Sequence, residues 1–142
     1  TAGTTTIKVA TGNATATPSA AVAIPLFSNY KGVSIGMSAD EVRAHLDHLK
    51  EKGKVQDFFV FSDSESAQVY YDGEGKVTAI SVNYMGDDSN APKPAAVLGE
   101  EIQAKPDGSM YQLIRYLSAG YWVAYSRTAG SDPIITVTMQ KM

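Results

Sequence analysis

The 142-residue chain has no cysteine, no long apolar run and no surplus of basic residues. The lack of cysteine excludes disulfide bonds, thiol catalysis and cysteine-ligated zinc. The longest apolar run, residues 20–27, contains a proline and is far shorter than the ~20 residues that a membrane span needs. The formal charge is −3, from 12 Lys plus Arg against 15 Asp plus Glu, whereas binding to phosphates requires a basic surplus. The composition therefore predicts no transmembrane segment and no nucleic-acid partner.

The recognisable motifs of catalysis are also missing. There is no Gly-x-Ser-x-Gly elbow, and the glycine-rich stretch at 72–76 lies between two predicted strands rather than before a helix, so it is not a phosphate-binding loop. The acidic loops around Asp72 and Asp87 lack the twelve-residue ligand spacing of an EF-hand, which favours turns over calcium sites. We predict that the protein is not an enzyme and binds no cofactor.

Two histidines on the first predicted helix are the best candidates for metal ligands. His45 and His48 are three residues apart, with Glu41 one turn before His45, a spacing that can present three ligands to one metal ion. However, Val42, Leu46 and Leu49 define the buried side of this predicted helix, which places the two imidazoles on its solvated flank. We therefore predict that both histidines are exposed and that no metal is bound.

That first helix has the clearest local pattern in the chain. Ser38 is followed three residues later by Glu41, the spacing of a capping box in which each residue pairs with a backbone N–H of the other. Apolar residues then follow at helical spacing, and cationic residues and Gly53 follow after them. The pattern predicts a helix over about 39–50.

Five strands and a second helix complete the predicted fold. Three strands follow the first helix, at Asp57–Ser62, Ala67–Asp72 and Val77–Tyr84, and two close the chain, at Tyr121–Arg127 and Asp132–Gln140. Between these groups, Ser109 and Gln112 repeat the capping-box spacing before an apolar stripe formed by Met110, Leu113, Ile114 and Leu117. The prediction is one α+β domain with an antiparallel sheet of about five strands and two helices packed on one face. The two helix-and-strand groups suggest a weak duplication offset by about 71 residues, with the second copy one strand short.

The N-terminal 29 residues differ from the rest of the chain. They are rich in Thr and Ala, and we expect a partly flexible segment with one possible edge strand at 5–9, so that the α+β domain covers residues 30–142. The chain begins with Thr1 rather than Met, which favours a mature or an artificially trimmed terminus over a native start, and we predict an exported protein.

A family resemblance rests on two stretches. The run from Tyr30 to Val42, which contains Gly36-Met37-Ser38-Ala39-Asp40-Glu41-Val42, and the later run Tyr71–Val77 resemble envelope domains of the SmpA/OmlA type and the related β-lactamase-inhibitor-protein-like fold. The similarity covers about residues 31–85. It implies a bacterial periplasmic or secreted module that binds another protein, since members of that family are assembly factors or inhibitors rather than enzymes.

Strand pairing decides which side chains share a face of the sheet. Four-residue loops at 63–66 and 73–76 would pair Val60 with Val69 and Val69 with Ile80. The predicted core is then Val42, Leu46, Val60, Val69, Ile80, Leu113, Leu117, Trp122 and Val137. The predicted solvent-facing aromatic residues are Phe59, Phe61, Tyr70, Tyr121 and Tyr125. Aromatic side chains dominate binding hot spots, so these five form the predicted binding site.

The leading functional hypothesis is a non-enzymatic protein-binding module of the bacterial cell envelope, like an assembly factor or an inhibitor, whose partner the sequence does not identify. Two alternatives remain open. The aromatic face could instead bind a small ligand, or the chain could be a hydrolase with an unrecognised site. A structural role is a further possibility for the aromatic residues, if Ile24, Leu26 and Phe27 fold across them.

Overall fold

A computed structural model of the protein describes residues 25–86 and 90–142. It has an α+β fold with one antiparallel sheet of seven strands and two short helices. In chain order the elements are α1 (Ala39–His45), β1 (Leu49–Glu51), β2 (Gln56–Ser62), β3 (Glu65–Tyr71), β4 (Val77–Tyr84), α2 (Pro94–Leu98), β5 (Met110–Tyr116), β6 (Tyr121–Arg127) and β7 (Ile135–Lys141). The order across the sheet is β1-β2-β3-β4-β7-β6-β5. The predicted fold class is confirmed, but the sheet has β1 and β5 in addition to the five expected strands.

The predicted N-terminal segment lies mostly outside the described residues, including its possible edge strand at 5–9. In the part of the chain that the structure describes, neither helix is long and apolar enough to cross a membrane.

Helix α1 begins at the predicted capping box. The Ser38 hydroxyl accepts a hydrogen bond from the Glu41 backbone N–H at 3.2 Å, and the Glu41 carboxylate accepts one from the Ser38 N–H at 3.0 Å. The predicted end near residue 50 is wrong, because the helix stops at His45. His48 has a φ of 68°, a left-handed conformation that turns the chain, and Leu49 then pairs with β2. The residues predicted to form the last turn of the helix therefore include a short strand that pairs with β2.

The capping box gives a first test of local stability. We expect Ser38→Ala to lower the free energy of unfolding by about 1 kcal/mol, because it leaves a helix N-terminal N–H without its acceptor. Ser131→Ala, at an exposed position in the turn before β7, is the matched control and should change the value by less than about 0.5 kcal/mol. Urea denaturation of both variants measures the difference, and equal values would show that the cap contributes nothing.

The second helix was predicted in the wrong place. Residues 110–116 form β5, and all seven pair with β6, from Met110 opposite Arg127 to Tyr116 opposite Tyr121. Aromatic and β-branched residues such as Tyr116 and Ile114 favour strands, and the tertiary pairing outweighs the helical spacing of the apolar residues. The second helix is α2, which starts at Pro94.

Recognition of β5 as a strand completes the duplication. Each half of the chain now has one helix and three long strands, α1-β2-β3-β4 and α2-β5-β6-β7, and the third strands β4 and β7 pair antiparallel at the centre of the sheet. The helices begin at Ala39 and Pro94 and the first long strands at Gln56 and Met110, so the offset is about 55 residues rather than about 71. The six long strands are therefore arranged symmetrically about the β4–β7 pair.

Of the two predicted hairpin registers, the second is confirmed and the first is wrong. The pairs Val69–Ile80 and Ala67–Val82 are confirmed. The first hairpin is shifted, because its pairing continues to Ser62 opposite Glu65 and leaves a loop of two residues instead of four. The shorter loop alone would keep Val60 inward, but a bulge between Val60 and Ser62 adds one residue to β2 and turns Phe59 inward instead.

The prediction of the hydrophobic core is also only partly confirmed. Of the predicted core residues, Val42, Leu46, Val69, Ile80 and Val137 are buried. Val60, Leu113 and Trp122 are only half-buried, and Leu117 is 58% exposed, so these four predictions are wrong. Leu113 and Leu117 were expected to be buried because residues 110–117 were predicted to form a helix. Trp122 was expected to be buried because the two faces of β6 were predicted the wrong way round. Buried residues of both helices, among them Val42 and Val97, belong to the same core cluster.

Candidate functional site

The register sorts the side chains of the sheet into two faces. One face, here called the core face, includes buried Phe59, Val69, Ile80, Val123 and Val137. On β3, β4, β7 and β6 the paired residues of the other face, here called the polar face, are Ser66, Gln68, Tyr70, Ala79, Ser81, Asn83, Trp122, Ala124, Ser126, Thr136, Thr138 and Gln140. None of these twelve residues is charged, although the chain has 12 Lys plus Arg and 15 Asp plus Glu.

The five predicted binding residues do not share a face. Phe59, Tyr121 and Tyr125 are buried on the core face, with exposed fractions of 0%, 8% and 2%. Phe61 is half-buried beside Phe59, with the two rings stacked at a centroid distance of 6.2 Å. Tyr70 alone lies on the polar face. The expectation of one solvent-facing aromatic surface is wrong, because the shifted first hairpin and the opposite orientation of β6 turn the other four inward.

The inward tyrosines hold connecting segments against the core. The Tyr125 hydroxyl donates to the Pro92 carbonyl at 2.9 Å, and the Tyr121 hydroxyl donates to the Phe27 carbonyl at 3.4 Å. Phe27 packs against the core cluster, whereas Leu26 is 61% exposed, and Ile24 lies outside the described residues. Phe27 thus packs on the core face of the sheet, and Tyr121 has a structural role because its hydroxyl group binds the Phe27 carbonyl.

Phe61 lines a small cleft of about 190 Å³ together with Lys31, His45, Asp47 and His48. Both histidines are exposed, as predicted. The Nδ1 atom of His45 lies 3.0 Å from the Glu41 carbonyl oxygen, and because a carbonyl only accepts, Nδ1 carries the proton. Among the described residues no group of three or more His, Asp or Glu side chains is placed to hold a metal ion.

Charges of both signs meet beside this cleft. The Tyr30 hydroxyl donates to the Glu65 carboxylate, and the Lys31 ammonium lies 3.7 Å from the same carboxylate oxygen and 4.7 Å from the centroid of the Phe61 ring. Burial and the nearby Glu65 charge raise the pKa of Tyr30, and they also raise the pKa of Tyr84 to about 12. Neither tyrosine is therefore ready to act as a base near neutral pH.

Asp57 is the one fully buried carboxylate among the described residues. Its oxygens accept two hydrogen bonds from the Arg43 guanidinium, at 2.8 and 3.0 Å, one from the Tyr71 hydroxyl at 2.7 Å and one from the Gly53 N–H at 3.1 Å. Burial acts to raise the pKa of Asp57, but the hydrogen bonds from Arg43, Tyr71 and Gly53 outweigh it and lower that pKa. The carboxylate is fully engaged, so its role is to tie α1 to the sheet rather than to react.

The polar face contains a shallow groove of about 380 Å³. Six residues of β3, β4 and β7 line it: Tyr70, Thr78, Ala79, Ser81, Thr138 and Gln140. Within the groove the hydroxyl oxygens of Ser81 and Thr138 lie 3.2 Å apart, and the Tyr70 hydroxyl donates to the Gln68 side chain at 2.9 Å. The described residues that line the groove therefore supply hydroxyl and amide groups and include no Asp, Glu, Lys, Arg or His.

The two end strands of the sheet differ in length and chemistry. At one end, β1 is three residues long and includes Lys50 and Glu51, as is typical of a protected edge. At the other end, β5 is seven residues long and, within the described residues, pairs only with β6. Tyr111 on this strand is 61% exposed, and Leu117 just beyond its end is 58% exposed. The edge of β5 is thus the longer and more apolar of the two.

Neither the groove nor the β5 edge was predicted from the sequence. The groove depends on which residues of β3, β4 and β7 share a face, which requires the pairing of strands far apart in the chain. The edge strand was not predicted because the apolar residues of segment 110–117 have the spacing of one face of a helix. The aromatic and β-branched residues Tyr111, Ile114 and Tyr116 were the available indication of a strand.

No protein-family model, curated protein or solved structure matches the chain. The resemblance to SmpA/OmlA-type domains therefore stays a prediction, as do the function and the cellular location that it implies.

Proposed function

We propose that the chain is a non-enzymatic protein-binding module of the bacterial cell envelope, like an assembly factor or an inhibitor, whose helices lie on the core face. The partner adds an extended segment to the outer edge of β5. The observation that carries the proposal is the seven-residue edge strand, which has no neighbour on its outer side within the described residues. Such a strand offers a row of backbone N–H and C=O groups for pairing with another chain.

The side chains along this edge support a protein partner. Tyr111, Leu113 and Arg115 alternate along β5 on one face, and Tyr and Arg are enriched in the energetic centres of protein interfaces. Backbone pairing would supply affinity in this mode, and the alternating side chains would supply specificity.

The internal duplication also supports the edge of β5 as the binding position. In the first half, β2 is covered by β1, whereas in the second half the equivalent strand β5 has no such cover among the described residues. A strand from a partner would occupy the position that corresponds to β1. The envelope location rests on the sequence resemblance.

Capture from envelope extract tests this proposal with two matched variants. Leu113→Lys places a charge on the β5 edge and is expected to reduce partner capture at least tenfold, because an interface core disfavours an unpaired charge. Leu49→Lys places the same charge on the β1 edge and should leave capture unchanged. Amide hydrogen exchange of the wild-type complex should show slower exchange in β5.

Two results would overturn the proposal. One is equal capture by Leu113→Lys and the wild-type protein. The other is slower exchange confined to a surface away from β5 in the complex. Circular dichroism of both variants establishes that the substitutions leave the fold intact.

A further inference from the structure

The groove on the polar face has the chemistry of a ligand site that is separate from the β5 edge. Its lining residues come from β3, β4 and β7, in the middle of the sheet, and its volume of about 380 Å³ lies within the range of small-molecule sites, ~300–1,000 Å³. A site in this position does not depend on the proposed protein partner.

The absence of charge limits the ligands that fit. A charged ligand that leaves water needs an opposite charge or several strong hydrogen bonds, and none of the six lining residues is Asp, Glu, Lys, Arg or His. Hydroxyl and amide groups, by contrast, both donate and accept hydrogen bonds. The lining therefore favours a neutral ligand that is rich in hydroxyl groups.

Aromatic rings complete the site. Tyr70 lies in the groove, and Trp122 lies beside it on the polar face, directly across from Gln140 in the pairing of β6 with β7. Both side chains combine an apolar ring with a polar group. A sugar ring presents the matching chemistry, because its C–H groups pack on aromatic rings while its hydroxyl groups bond to amides and hydroxyls.

We propose that the polar-face groove, lined by Tyr70, Ser81, Thr138 and Gln140 and flanked by Trp122, binds a neutral oligosaccharide. The groove is shallow, so sugar units beyond the one in contact with Tyr70 can continue along the face. The inference goes beyond the proposed function, because it concerns a different surface and a different class of ligand.

Trp122 is the single tryptophan of the chain, which makes its fluorescence a direct reporter of this site. The probes are neutral hexasaccharides of glucose and of N-acetylglucosamine, titrated into the intact protein. We expect saturable binding to at least one of them, with a change in Trp122 fluorescence and NMR amide shifts concentrated in β3, β4 and β7. Affinity should stay constant up to about 0.5 M sodium chloride, because no ion pair is involved.

Matched substitutions locate the site. Thr138→Val removes one hydroxyl of the groove without changing the size of the side chain and is expected to weaken binding about tenfold. Thr136→Val makes the same change two residues away on the same strand and face, outside the groove lining, and should change the affinity less than twofold. Tyr70→Ala removes the aromatic ring and should weaken binding further.

The proposal is wrong if neither hexasaccharide binds at millimolar concentration, or if Thr138→Val and Thr136→Val weaken binding equally. It is also wrong if binding decreases steeply with salt, which would indicate a charged ligand site. These results leave the β5 proposal untouched, since the tests use different variants and different ligands.

Discussion

Replacement of Arg43 by Met is expected to lower the free energy of unfolding by about 3–5 kcal/mol, because it leaves a buried carboxylate without its cation. Asp57 has an exposed fraction of 0%, and the two hydrogen bonds from Arg43 are half of those that it accepts. Arg43 also packs over the Tyr71 ring, 5.9 Å from its centroid. The substitution therefore removes charge neutralisation and packing at the joint between α1 and the sheet.

The pH dependence of this loss follows from Asp57. In the wild-type protein the pKa of Asp57 is lowered, so its contribution to stability is fully present above the unfolded value, ~3.9, and is lost as the pH falls through the folded value. In Arg43→Met the burial of Asp57 remains while its cation is gone, which raises its pKa. The difference in stability between the two proteins should therefore shrink as the pH falls from the raised pKa of the variant, above ~3.9, to the lowered pKa of the wild type.

Two further variants show whether the loss of stability in Arg43→Met comes from the broken ion pair or from lost packing. Arg43→Met combined with Asp57→Leu removes both charges and should recover much of the lost stability, since apolar pairs often replace buried ion pairs without loss. Lys31→Met removes the cation of a more exposed pair, with Lys31 side-chain exposure of 45%, and should cost less than about 1 kcal/mol. Guanidinium denaturation measures all four proteins. A loss below about 1 kcal/mol for Arg43→Met, or no recovery in the double variant, would contradict a role for the ion pair.

The parts of the fold that could be predicted from the sequence are those with local causes. The capping box needs only Ser38 and Glu41, three residues apart, and it formed as expected. The turn before β4 has a length that fixes the pairing of Val69 with Ile80. In both cases the residues that decide the structure are close together in the chain.

The failures have non-local causes. The apolar residues of β5 fit a helix, and only the pairing with β6 makes that segment a strand. The helix α1 ends at His45 because β1 pairs with β2, which a single-segment pattern does not contain. A bulge between Val60 and Ser62 reversed the faces of β2, which changed the positions of the predicted binding residues on that strand. Phe59 and Phe61 turned inward, while Phe58 turned to the polar face.

The register of β2 can be tested with adjacent phenylalanines, and the expected effect is large. Phe59→Ala should lower the free energy of unfolding by about 3–5 kcal/mol, because it opens a cavity where a ring with an exposed fraction of 0% stacks on Phe61. Phe58→Ala makes the same truncation at a half-buried position on the polar face and should cost about 1–2 kcal/mol, because part of that ring already contacts water. Should Phe59→Ala fail to fold, Phe59→Leu gives a smaller cavity, and its loss should still exceed that of Phe58→Leu. The alternative register, with a four-residue loop and Phe58 paired with Tyr71, makes Phe58 the core residue and requires the opposite order of the two losses. Thermal and urea unfolding of the paired variants therefore decides which phenylalanine faces the core, and with it which side chains are available on the polar face.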